Sequence, residues 1–158
     1  IIGNANANIL FGFAGNDTLD GGLGGDQLYG REGDDTYNGG SGFDIMDYST
    51  IGGVVQVNMF TGTTTGTGGN DQFTGIEYII GSSFSDVIAG NHGPNAFESG
   101  AGDDALYGLQ GIDWMRGGTG NGRAGRVVDK ARSCCCDGRR GGIRDDLRVR
   151  CGCCRGRW

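Results

Sequence analysis

Residues 12–47 read GFAGNDTLD, GGLGGDQLY, GREGDDTYN and GGSGFDIMD, four nonapeptides with no residue left over. Each has Gly at positions 1 and 4, Asp at position 6 (Asp17, Asp26, Asp35, Asp44) and a large apolar residue at position 8 (Leu19, Leu28, Tyr37, Met46). The glycine-rich first six residues suit a tight turn that brings carbonyl groups close to an ion. The last three suit a short strand, in which side chains alternate between faces. Position 8 then lines a core, and Thr18, Asp20, Gln27 and Asn38 face outward. One turn-strand unit cannot bury its apolar side alone, so a fixed short period predicts stacked units in a parallel solenoid.

Working outward, Gly3–Phe11 (GNANANILF) keeps the register, with Asn8 in place of the Asp. Asn8 either offers an oxygen beside Asp26 or belongs to a neutral edge coil. From Tyr48 the register breaks. Val54, Val55, Val57 and Met59 read as a strand, and the Gly/Thr-rich run 61–69 reads as a loop. Gly66–Thr74 fits the nonapeptide again with Asp71 and Phe73, and Ile76, Ile79 and Ile80 are expected to be buried. A second array, 81–116, places Asp86, Asn95, Asp104 and Asp113 at position 6 and Ile88, Phe97, Leu106 and Met115 at position 8. Phe84 and Ser99 stand where glycine is expected, so this array is less regular.

These residues resemble the calcium-binding repeats of RTX (repeats-in-toxin, haemolysin-type) proteins, pattern GGxGxDxUx. The resemblance implies an all-β fold, a right-handed parallel β-roll with two nonapeptides per coil and Ca2+ between turns stacked on one edge. It implies that position-6 residues two units apart share an ion. Asp17 then pairs with Asp35, Asp26 with Asp44, Asp86 with Asp104, and Asn95 with Asp113. The chemistry agrees, since calcium takes about six to eight hard oxygen ligands and such turns offer carbonyls and a carboxylate. The expected metal ligands are therefore Asp17, Asp26, Asp35, Asp44, Asp86, Asp104 and Asp113, with Asn8 and Asn95 as weaker ones.

Thirty-six glycines and a single proline in 158 residues exclude an ordinary globular core, and the nine-residue register argues for order. Residues 1–121 hold 15 acidic and two basic residues, a net −13, whereas 122–158 hold 11 basic and four acidic, a net +7. Such an acidic body repels itself unless cations intervene, and it excludes nucleic acid as a partner. No signal segment or transmembrane run is visible, and the chain reads as a fragment of a soluble protein. The expected organisation is a first array over 1–47, an irregular β connector over 48–80, a second array over 81–121 and an anomalous tail over 122–158. The tail holds ten arginines and all six cysteines, and no apolar residue recurs at nine-residue spacing. It reads as a shifted reading frame or disorder; a zinc site, a disulfide-rich domain and an arginine-rich binding segment are the alternatives.

Catalytic motifs are missing. His92 is the only histidine, sits in a turn and reads as a solvated loop residue. The pairs Asp34/Asp35 and Asp103/Asp104 resemble glycosidase acids, but each is position 5 followed by position 6, which metal ligation explains. No enzyme activity is expected of this fragment. Three function classes stay open. One is a calcium-binding module that folds outside the cell and supports type I secretion of a larger protein, with the secretion apparatus as a partner. The second is a repeat module of an extracellular polysaccharide-modifying enzyme or protease. The third is the stalk of a repeat adhesin.

Overall fold

The computed structural model describes residues 1–119 and the strand 134–135, and these residues are all β, with no helix. In the first array and the start of the connector the strands are β1 (Ile9–Ala14), β2 (Thr18–Asp20), β3 (Gln27–Glu32), β4 (Thr36–Asn38), β5 (Ile45–Asp47), β6 (Val55–Asn58) and β7 (Thr63–Gly66). They are followed by β8 (Gln72–Thr74), β9 (Tyr78–Ile80), β10 (Val87–Ala89), β11 (Ala96–Glu98), β12 (Ala105–Tyr107), β13 (Trp114–Arg116) and β14 (Cys134–Cys135). Most are only three residues long, as expected when a turn consumes six of every nine positions.

Strands alternate from β1 to β6 and from β8 to β13 between two seven-stranded sheets, ordered β1-β3-β5-β9-β11-β13-β14 and β12-β10-β6-β7-β8-β4-β2. Every pairing is parallel except those of β7, which runs antiparallel to both β6 and β8. Within the first sheet the 18-residue register sets Leu10 beside Leu28 and Leu28 beside Met46. The same row continues through Ile79, Phe97 and Met115. In the second sheet Leu19, Tyr37 and Phe73 form a row, and Val57, Ile88 and Leu106 form its continuation. All but the part-exposed Leu10 belong to one buried cluster. Burying each such side chain is worth about 1.5–3 kcal/mol, so the stack of position-8 residues is the main apolar contribution to the fold. The turns stack as closely as the strands: a methyl group on Gly33 would collide with the carbonyl of Gly15, one coil away.

Two expectations are corrected here. The run 61–69 is not a plain loop, because Thr63–Gly66 forms β7 and pairs with Val55–Asn58 as a hairpin. Ile80 is only half-buried, because Ile79 takes the inward position of β9 and its neighbours must face outward. The tail reading falls outside the described residues, apart from Cys134–Cys135, which pairs in parallel with β13. Among the described residues no helix is long and apolar enough to cross a membrane.

Candidate metal centre

The position-6 side chains lie at the entrance to each strand and stack into two columns, one per sheet. In the first column the Asn8 N–H donates to Asp26 Oδ1 at 2.8 Å, and the Asp26 N–H to Asp44 Oδ1 at 2.8 Å. The Asp44 N–H then donates to Glu77 Oε2 at 3.0 Å, and further along the Asn95 N–H donates to Asp113 Oδ1 at 3.0 Å. In the second column the Asp17 N–H donates to Asp35 Oδ1 at 2.9 Å and the Asp35 N–H to Asp71 Oδ1 at 3.0 Å. Beyond β7 the column resumes, with the Val55 N–H on Asp86 Oδ1 at 2.8 Å and the Asp86 N–H on Asp104 Oδ1 at 2.9 Å. All four expected pairs are thus brought together, and Asn8 falls beside Asp26.

One carboxylate oxygen of each pair is therefore spent on the backbone of the neighbouring coil. The other oxygen has different surroundings along the columns. Asp17, Asp26, Asp35 and Asp44 each keep Oδ2 buried and without a hydrogen-bond partner. Burying a charged oxygen without a donor is costly, so such a set of four calls for a cation. At Asp71 and Asp86 protein donors reach in. Tyr48 Oη donates to Asp71 Oδ2 at 2.6 Å, and the Ser82 N–H donates to Asp86 Oδ2 at 2.7 Å while its hydroxyl lies 2.9 Å from Oδ1. The amide oxygens of Asn8 and Asn95 accept the N–H groups of Asn4 and Asn91 at 2.7 and 2.9 Å.

A second feature, present in both arrays, is the space that position-1 glycine leaves beside a position-6 oxygen. A methyl group on Gly12 would lie 2.9 Å from Asp17 Oδ2 and 2.9 Å from the carbonyl oxygen of Gly30. One on Gly21 would meet Asp26 Oδ2 and, at 2.6 Å, the carbonyl oxygen of Gly39; one on Gly39 would meet Asp44 Oδ2 at 2.8 Å and the Gly75 carbonyl. Position-1 glycine thus leaves a cradle walled by a carboxylate and by a carbonyl of the next coil, a set of hard oxygens that suits calcium. Among the described residues no three His, Cys, Asp or Glu side chains converge, so carbonyl groups must supply a large share of any coordination.

The electrostatics agree. Burial, with Asp71 and Asp17 nearby, raises the Asp35 carboxyl to about 6. Burial first and a neighbouring carboxylate second also raise Asp44 (beside Asp26), Asp71 (beside Asp34), Asp86 (beside Asp104) and Asp104 (beside Asp103). His92 is exposed, with its ring 5.3 Å edge-on from that of Phe60.

The family model described as RTX calcium-binding nonapeptide repeat (4 copies) matches residues 1–28, 11–46, 73–106, 80–115 and 98–121. Together these stretches cover more than half of the 158 residues. The chain belongs to the RTX calcium-binding nonapeptide repeat family. RTX repeats bind Ca2+, and this chain is a calcium-binding repeat module of an RTX-type protein. No curated protein sequence matches it. Residues 47–72, left unmatched by the RTX model, contain β6 and β7, where the parallel order is interrupted. Two column members were missing from the expected RTX ligands. Asp71 was legible as position 6 of Gly66–Thr74, but it lies 36 residues beyond Asp35, outside an 18-residue rule. Glu77 carries no repeat signal, and only the connector's path brings it over Asp44.

Proposed function

We propose that the chain is a non-catalytic module of a secreted protein that winds into a right-handed parallel β-roll when it meets extracellular calcium, and so supports export through a type I secretion apparatus. The buried, partnerless Oδ2 atoms of Asp17, Asp26, Asp35 and Asp44 carry this reading. These carboxylates, with the carbonyls of Gly30, Gly39 and Gly75, would hold the ions. A bound cation supplies the positive charge that stacked carboxylates lack. Without it the chain must order many glycines while bringing like charges together, and both oppose folding. Extracellular calcium modules have dissociation constants of about 10⁻⁴ to 10⁻³ M, so the sites stay empty inside a cell and fill outside it. Asp86, Asp104 and Asp113 serve as weaker sites, and Asn8 and Asn95 as edge positions.

The test is calcium titration of the full chain by far-UV circular dichroism and equilibrium dialysis. A largely unordered spectrum in chelator that turns to β signal at millimolar calcium, with several ions bound, is the expected result. Full β signal in chelator, unchanged by calcium, overturns the reading.

A further inference from the structure

Position 2 of the first array holds Gly22 and Gly40 at φ +96° in two units, a conformation natural to glycine. The other two units keep a similar backbone with large side chains, Phe13 at φ +78° and Arg31 at φ +77°. These two are direct neighbours across β1 and β3. Strained residues of this kind concentrate at ligand sites.

Their side chains build something glycine cannot. The Arg31 guanidinium carbon lies 5.1 Å from the centre of the Phe13 ring and 5.5 Å from that of Phe11, which itself stacks on Tyr29 at 4.8 Å. Arg31 is the only cationic side chain before Arg116, yet its Nε is buried without a hydrogen bond. The one ion pair among the described residues joins Arg116 to Glu98 instead. Beside Arg31 opens a cleft of about 640 Å³, bounded by Phe13, Glu32, Thr50, Ile51 and Thr67. A guanidinium held by aromatic rings, with Nε lacking a partner, suits a planar carboxylate, which it engages through two parallel hydrogen bonds. Phe13 and Ile51 offer that ligand an apolar wall, and the exposed Glu32 on the rim disfavours a second negative charge.

We propose that this cleft binds a small organic monocarboxylate, with Arg31 holding the carboxylate and Phe13 and Ile51 packing against the apolar body.

The test is a titration of the calcium-loaded full chain with sodium benzoate, followed by amide chemical shifts. Saturable binding centred on residues 13, 31, 51 and 67 is expected, with benzyl alcohol and inorganic phosphate binding more weakly. Arg31→Gly should weaken benzoate by about tenfold or more, as for loss of a charge-assisted bidentate pair. Arg31→Gly and Phe13→Gly should fold at the same or lower calcium, because glycine suits the backbone already present there. Leu109→Gly makes the same repair in the second array, at φ +66°, and should leave benzoate binding unchanged. If Arg31→Gly does not fold, Arg31→Met reads the same contrast. A hexuronate or an N-acetyl amino acid binding more tightly than benzoate also supports the site, and names a sugar acid or a peptide terminus as the source. Equal benzoate affinity in wild type and the Arg31 variants, equal affinity for benzyl alcohol, or no saturation overturns the proposal.

Discussion

Tyr48 Oη donates to Asp71 Oδ2 at 2.6 Å, so that at this step of the column a hydroxyl occupies the carboxylate oxygen that stays bare at Asp17. The Thr64 hydroxyl lies 3.0 Å from the same Tyr48 oxygen, and all three side chains are buried. A hydrogen bond to a charged group contributes about 1.5–3 kcal/mol. Tyr48→Phe should therefore destabilise the calcium-loaded chain by about that amount in urea unfolding, with little change in the number of ions bound. Undiminished stability would show that Asp71 finds another donor.

The contrast between bare and satisfied carboxylates predicts a graded response to mutation. Asp35→Asn removes a buried charge that has only the Tyr37 hydroxyl beside it, and should raise the calcium needed for half-folding by about tenfold or more. Asp86→Asn changes a carboxylate already bound by Ser82, and should shift the calcium midpoint less while costing fold stability. Asp20→Ala, at an outward position 9, should leave the midpoint nearly unchanged. Circular dichroism against free calcium ranks the three, and equal shifts for Asp35→Asn and Asp20→Ala would contradict the columns.

The periodic part of this molecule was legible because one residue position has one environment. Leu19, Leu28, Met46, Ile88 and Phe97, all at position 8, are 0% exposed, as the alternation within a three-residue strand requires. The 18-residue pairing likewise appears in the hydrogen bonds of Asp17 to Asp35 and Asp86 to Asp104. What was not legible depends on contacts between units that share no period. Thr63–Gly66 lacks apolar alternation, and Thr64 is buried because the Tyr48 hydroxyl gives it a polar neighbour. Glu77 joins the column 33 residues after Asp44, a spacing that no nine-residue rule reaches.

Asp35 also makes pH a lever. Its carboxyl lies near the usual 3.8 when the chain is unfolded and at about 6 in the ion-free fold. An acid whose folded value is raised favours the ion-free fold fully below about 3.8 and loses that contribution as pH rises through about 6. Calcium needs the ionised form and binds from a largely unfolded chain, so its affinity should fall as pH drops through the unfolded value of 3.8. Because binding starts from the largely unfolded chain, it should release protons at about pH 4 and almost none at about pH 7.5, measurable by calorimetry in buffers of different ionisation enthalpy. Equal proton release at both values would remove Asp35 from the site.

Three glycines separate the oxygen-lined cradle from ordinary backbone effects. Gly12 takes no left-handed dihedral, but a methyl group there would sit 2.9 Å from both Asp17 Oδ2 and the Gly30 carbonyl oxygen. Gly15 is the reverse case, with φ +107° and open space around its missing side chain. Gly52 has open space and no left-handed dihedral. Gly15→Ala should cost about 1–2 kcal/mol of stability from backbone strain at any saturating calcium concentration, because strain is indifferent to the ion. Gly12→Ala fills the space between the two oxygens, and should raise the calcium midpoint and lower the number of ions bound. Gly52→Ala should do neither. Dialysis stoichiometry beside urea unfolding reads both effects on each variant, and full stoichiometry in Gly12→Ala would place the ion somewhere other than between Asp17 and Gly30.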